Sequence, residues 1–356
     1  MGIGKLMFKN LTIIDASSVL AGPSVGMFFA ELGARVIKIE HPKHADVTRS
    51  WKLPKENQDT NVSAYFSSIN YKKEYLVLDL KKESDHQQFI DLIASADILL
   101  TNFKKGDDVK LKIEDERLHG VNPQLIIGKI NGYGLESDRV AYDLILQAES
   151  GFMSMNGTPE SGPVKMPVAL IDVLAAHHLK EALLIALLER EKSKRGRSVS
   201  VSLYDAAISS LVNQASNFLM SDHVPQRIGS LHPNIAPYGE IFKTKDGALI
   251  TFAIGSMTHF EKLCSFLQLG RLTTDERFNS NQNRVVNREE LFEILQSEIL
   301  SIECDAILST MEKMNVPAGK IKDLAEVFES NAAQELILEE EIEGIQTKRV
   351  ASVVFK

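Results

Sequence analysis

The first 130 residues alternate short β-rich runs with helical ones, and this alternation constrains the fold more than any other feature. "LTIIDAS" (11–17), "RVIKIE" (35–40), "YLVLDL" (75–80), "DILLTN" (97–102) and "QLIIGKI" (124–130) read as strands. "PSVGMFFAELG" (23–33) reads as a helix, with Pro near its start and Gly at its end. "SDHQQFIDLIASA" (84–96) places Phe89, Ile90 and Ile93 on one side of a second helix. Strands separated by helices pair in parallel through right-handed crossovers, so the expected class is α/β.

From Tyr142 the pattern turns helical, with "AYDLILQAESGFMSM" and "VALIDVLAAHHLKEALLIALLER" (168–190) as long apolar helices. Residues 196–220 read as a strand followed by a helix. The stretch "SDHVPQRIGSLHPNIAPYGE" (221–240) is rich in Pro, Gly and Asn, as suits a domain crossing or an active-site loop. A hairpin turning at Asp246-Gly247 is expected over 240–254, then helices at 256–268, 287–302 and 304–315. "VPAGKI" (316–321) and "VASVVF" (350–355) read as strands.

With 356 residues, the chain is long enough for a large domain with or without a smaller one. Its net charge of −8 argues against general nucleic-acid binding, which needs a basic surface, though not against a local basic pocket. Cys264 and Cys304 are the only cysteines and have neither disulfide-framework nor zinc spacing. His177 and His178 are adjacent, so on a helix they diverge by about 100° and do not chelate one metal; no metal is expected. "EALLIALLE" is far too short to span a membrane, and the N-terminal stretch lacks a signal-peptide run. A soluble, cytoplasmic protein that binds no membrane is the expectation.

"VLAGPSVGMFFAELG" lacks the G-x-G-x-x-G spacing of a dinucleotide fingerprint, and there is no P-loop. Basic residues recur beside strand ends: Lys38 and His41, Lys72 and Lys73, then Lys104, Lys105 and Lys110. Ligands of doubly wound sheets bind at such ends, so the pattern suits a polyanion. Asp172 interrupts an apolar run without a basic neighbour. It has two readings: a capping carboxylate for the helix that follows, or a partly desolvated nucleophile toward an acyl group.

Nine segments resemble, in order, those of the family III CoA-transferases: "VLAGPSVGMFFAELGARVIKIEHP", "NYKKEYLVLDLKK", "ADILLTNFKKG", "LHGVNPQLIIGKINGYG", "AYDLILQAESGFMSMNG", "PVALIDVLAAHHLKEALLIALLEREKSKRGRSVSVSLYDAAI", "HPNIAPYGEIFKTKDG", "DERFNSNQNRVVNREEL" and "NVPAGKIKDLAEV". The resemblance implies a Rossmann-like large domain (1–220) that binds CoA and a small α+β domain with its linkers (221–315). A C-terminal segment (316–356) would return to the large domain, and two chains would interlock as a homodimer. It implies that acyl-CoA and a small carboxylic acid are the substrates. Asp172 would be the nucleophile, working through a mixed anhydride and an aspartyl-CoA thioester. Oxyanion donors would come from the loop around Gly229 and Ser230, where this chain is poorer in glycine than formyl-CoA transferase. The implied CoA contacts are Leu20, Lys38, His41, Lys73, Asn102, Phe103, Lys110 and Arg139. Several depart from the family pattern: Lys105 replaces a proline, Tyr71 and Lys72 replace Arg-Gly, and Ala141 replaces a glycine.

The same superfamily includes α-methylacyl-CoA racemases, which move an α-proton with a His-Asp dipeptide. Here that dipeptide is Tyr142-Asp143, and an unperturbed tyrosine with a pKa of about 10 is a poor base at neutral pH. This favours transfer, with Tyr142 a hydrogen-bond donor to the acyl group or carboxylate and Asp143 a helix-start residue. A non-catalytic CoA-binding relative is the third reading, which the retained Asp172 disfavours.

Overall fold

The computed structural model describes residues 7–355. The chain forms two compact units. The larger comprises the residues up to Met153, Lys165–Pro225 and those from Gln334 onward, and the smaller comprises Ser154–Val164 and Gln226–Ala333.

The larger unit is built on six parallel strands: β1 (Thr12–Asp15), β2 (Arg35–Glu40), β3 (Lys73–Val77), β4 (Ile98–Thr101), β5 (Ile126–Asn131) and β6 (Ser198–Ser202). Their order is 3-2-1-4-5-6, so the winding reverses between β1 and β4. Successive side chains on a strand point to opposite faces, and here both faces are covered. Ile13, Ile98, Leu100 and Ile126 pack with the first helix (Ala21–Glu31) and the long helix (Leu170–Ser193). Ile14, Leu99 and Ile127 pack on the other side with Phe89 and Ile93 of the helix Glu83–Ser95. This double burial is why the strands read as continuous apolar runs. Gly128 in β5 lets the long helix approach closely, since a Cβ there would lie 3.1 Å from both Leu100 and Leu183.

The smaller unit has a three-stranded antiparallel sheet of β7 (Tyr238–Lys243), β8 (Leu249–Ala253) and β9 (Ala318–Lys320), in that order. The expected turn at Asp246-Gly247 joins β7 to β8, with Gly247 at φ +82°. Helices Met257–Phe266, Arg288–Ile299 and Cys304–Lys313 cover the sheet, and Phe242, Phe252, Leu263, Leu295 and Ile307 form its core. Both cysteines are buried. Because β9 pairs with β8, residues 316–333 stay with the smaller unit, and the chain rejoins the larger one at Gln334 rather than at 316.

The C-terminal region holds an antiparallel hairpin, β10 (Ile337–Ile342) and β11 (Ile345–Val350), that turns through Glu343 and Gly344 at φ +51° and +81°. The strand expected over 350–355 is not formed; Val350 ends β11. The residues after it are fastened to the first helix instead. Glu31 accepts the backbone N–H groups of Ser352 and Val353 and pairs with Arg349 at 2.7 Å. No helix among the described residues is long and apolar enough to cross a membrane.

Candidate active site

A cavity of about 620 Å³ opens in the larger unit at the point where the winding reverses. Its walls are the segments that follow β1 (Ser18–Ala21), β4 (Asn102–Gly106) and β5 (Gly132–Ala141), closed by Tyr142 and Asp172. Strand C-terminal ends at a switch point are the general ligand position in open α/β sheets. Lys104, Lys105, Lys129 and Arg139 lie in the wall among five carboxylates, so anion recognition rests on individual groups rather than on net charge. Lys105 and Lys129 are held by Glu136 and Asp115, whereas Lys104 makes no ion pair among the described residues.

Asp172 sits in the first turn of the long helix and is 9% exposed. It is not the cap: the N-cap position is Ala169, which has no side-chain acceptor to offer. The capping work is done from elsewhere. Asp143 accepts the Ile171 N–H at 2.8 Å through one oxygen and the Gln147 amide at 2.7 Å through the other. Gln147, fully buried, in turn accepts the Met166 N–H at 2.8 Å. The long helix is thus seated without using the Asp172 carboxylate. No hydrogen bond or ion pair among the described residues reaches that carboxylate, and burial, reinforced by the charge of Asp143, pushes its pKa up to about 7. The positive end of the helix dipole acts the other way and favours the ionised form. Near neutral pH, Asp172 therefore stands partly ionised and desolvated beside the cavity, with no basic side chain paired to it among the described residues.

Tyr65, from the short helix Ala64–Ser67, stands within the field of the same carboxylate. Burial, with added repulsion from Asp172 and Asp143, pushes its phenol up to about 12, so the hydroxyl remains a donor throughout the physiological range. That hydroxyl has no hydrogen-bond partner among the described residues, and its ring packs edge-on against Trp51. Neither Tyr65 nor Gln147 was singled out from the sequence. Only their spatial relation to Asp172 and Asp143 reveals them.

The expected ligand contacts divide evenly. Leu20, Asn102, Phe103 and Arg139 line the cavity with Tyr142 and Asp172. Arg139 stacks 3.9 Å over the Tyr133 ring, and its Nη2 donates to both carboxylate oxygens of Glu149 at 2.7 and 3.0 Å. Asn102 spends both ends of its amide on the backbone of Ser18, at 3.0 and 2.8 Å, so it joins two walls of the cavity. Lys38 and Lys73 are corrections. Both are enclosed by protein, Lys38 paired with Asp46 at 3.0 Å and Lys73 with Asp15 at 2.7 Å, so neither presents charge to a phosphate. Each points inward because a buried carboxylate neutralises it. His41 stacks on His44 beside Asp79, and Lys110 is an exposed partner of Asp107; neither lines the cavity. Gly229 belongs to the smaller unit with φ +66°, and its N–H donates to the Gly157 carbonyl at 2.8 Å. In this conformation that amide has no free hydrogen for an oxyanion.

A family model described as CoA-transferase family III matches residues 8–355. The chain is 36% identical to a succinate–glutarate CoA-transferase of Agrobacterium fabrum, over 90% of this chain and 81% of that protein. It is 33% identical to an acetyl-CoA:oxalate CoA-transferase of Acetobacter aceti, over 90% of this chain and 82% of that one. The crystal structure of a CAIB/BAIF family protein from Brucella suis superposes with a TM-score of 0.84 at 32% identity, covering 99% of this chain and 93% of that one. With the match spanning both units and the cavity, the chain belongs to CoA-transferase family III and is a CoA-transferase.

Proposed function

We propose that the enzyme moves CoA from an acyl-CoA thioester to a small dicarboxylic acid, with Asp172 as the nucleophile. The observation that carries this reading is a buried carboxylate without a cation, in the wall of a cavity at the strand switch point. The names of the relatives from Agrobacterium fabrum and Acetobacter aceti, with their succinate, glutarate and oxalate, support the dicarboxylate class.

In this reading an Asp172 oxygen attacks the thioester carbonyl carbon, the C–S bond breaks and CoA leaves as the thiolate. The thiolate then attacks the Asp172 carbonyl of the mixed anhydride, giving aspartyl-CoA thioester and releasing the donor acid as its carboxylate. The acceptor carboxylate attacks that thioester in turn, and CoA thiolate resolves the second anhydride, restoring Asp172. Each intermediate keeps its acyl group activated, so the exchanges are near-balanced provided water is excluded. Tyr142 and the Tyr65 hydroxyl would donate to developing oxyanions or to the acid. Leu20, Asn102, Phe103 and Arg139 would form the CoA-facing wall, with Lys104 free to meet a phosphate.

The strand order supports a Rossmann-like description of the larger unit. A homodimer, interlocked as in the family, is supported by apolar side chains that the larger unit leaves in solvent, among them Ile185, Leu188, Val212, Leu219 and Met220. A cytoplasmic location accords with two unpaired cysteines.

Incubation with succinyl-CoA and a panel of dicarboxylic acids, read by mass detection of new thioesters, tests the assignment. Transfer that is lost in Asp172→Ala, with CoA binding retained, is the expected result. Unchanged turnover in that variant rejects the nucleophile. Deuterium uptake at the α-carbon of a branched acyl-CoA in heavy water would instead identify a racemase.

A further inference from the structure

The segment between β1 and the first helix is held more tightly than a surface loop requires. Ser17 receives two grips: its N–H donates to Asp15 at 3.1 Å, and its carbonyl accepts from the Lys38 ammonium at 2.8 Å. Ser18 is held at both N–H and carbonyl by Asn102. Val19 donates its N–H to both oxygens of Asp46, at 3.3 and 3.2 Å. Three consecutive backbone positions are thus fixed by Asp15 at the end of β1 and by three side chains, Lys38, Asn102 and Asp46, from other parts of the larger unit.

Val19 has φ +74°. Left-handed backbone is unfavourable for a β-branched residue and persists only where the surroundings over-determine it. The surroundings here are a buried ion pair. Lys38 and Asp46 are each about 1% exposed at the side chain, 3.0 Å apart. Asp46 is itself fixed by the Thr48 N–H at 3.1 Å and the Thr48 hydroxyl at 2.7 Å. Ser18, Val19, Leu20 and Ala21 are the part of this segment that lines the cavity.

We infer that the Lys38–Asp46 pair is a positioning device, holding Val19 in its left-handed conformation and so fixing the β1-side wall of the ligand cavity. Lys38 serves the ligand without touching it. The pair would make the wall rigid before CoA arrives, so that binding does not have to order it. This inference rests on the reading of the cavity as the acyl-CoA site.

Three variants test it, with the Kd of free CoA and the KM of succinyl-CoA as readouts and circular dichroism as the check on folding. Asp46→Asn weakens the grip on Val19 and is expected to raise both constants at least about tenfold while kcat changes by less than about threefold. Adding Val19→Gly to Asp46→Asn is expected to recover much of the loss, because glycine adopts φ +74° without a tether. A pair that only stabilised the fold would give no such recovery. Val19→Pro leaves the ion pair intact but fixes φ near −65° and removes the N–H, and it is expected to raise Kd by a similar factor. That variant decides the matter if Asp46→Asn does not fold. Unchanged CoA affinity in a folded Val19→Pro, or in a folded Asp46→Asn, overturns the positioning role. A wild type that binds CoA but moves none between acids rejects the transfer reading alone, and the CoA affinities still judge the clamp.

Discussion

Two buried carboxylates of the larger unit differ in what surrounds them, one paired with a cation and the other not. Asp15, at the end of β1, is fully buried and meets Lys73 at 2.7 Å. Burial alone would raise its pKa, but Lys73, Lys38 and the Ser17 hydroxyl outweigh burial and hold it below the usual value. Asp172 is nearly as buried, but its charged neighbour is another carboxylate, and its pKa climbs to about 7. Burial is common to both. The missing cation at Asp172 is what fits that carboxylate to the nucleophilic role proposed for it.

Replacing Asp172 by Ala is expected to have the largest effect, a fall in transfer rate of at least ~10³-fold with CoA binding preserved. The comparison predicts the opposite phenotype at Asp15. Lys73→Met strands a buried charge and is expected to lower unfolding free energy by ~3–5 kcal/mol in urea titrations at pH 7, with the double variant Lys73→Met/Asp15→Leu recovering most of it.

A third prediction concerns pH. The native pKa of Asp172 lies above its ordinary value of 3.8, so the folded chain binds more protons than the unfolded one between about pH 4 and 7. Stability from this group is present below that window and lost as pH rises through it. Asp172→Asn is therefore expected to be inactive yet more stable than wild type by roughly 4 kcal/mol at pH 8, with the gain vanishing near pH 4. Equal stability at pH 8 would show that the carboxylate is not desolvated. The smallest effect is expected at Asp143. Asp143→Asn keeps an acceptor for the Ile171 N–H but removes the like charge, so the acid limb of the rate profile, near pH 7 in wild type, should move to lower pH. Tyr65 stays protonated over this range and leaves that limb unaltered.

The parallel sheet was legible because its strands are apolar on both faces, which leaves little else for runs such as Ile13-Ile14 or Ile98-Leu99-Leu100 to be. Asp172 stood out as an acid in an apolar run, and its segment's resemblance to a family is what favoured the nucleophile reading over the capping one. Its capping role looked natural, but the acceptor that seats the helix comes from Asp143, 28 residues earlier than the amide it receives. Lys38 and Lys73 were misread for a similar reason. A lysine in or beside a strand looks like a surface charge unless its buried partner is visible, and the partner of Lys73 is 58 residues away. The hairpin over 337–350 was hidden by "LEEEIEG", whose charges mask the alternation, and its turn residue Gly344 was the available signal.

The fastening of Glu31 to Ser352 and Val353 spans more than 320 residues. During synthesis the first helix emerges more than 320 residues before the partner that fastens it, so this tie forms only after that partner has been made. Every residue of the smaller unit precedes Arg349 and leaves the ribosome sooner. The larger unit is therefore completed only after the whole smaller unit has been made, and in that interval its first helix lacks the Arg349, Ser352 and Val353 contacts and depends on chaperones to stay out of aggregates.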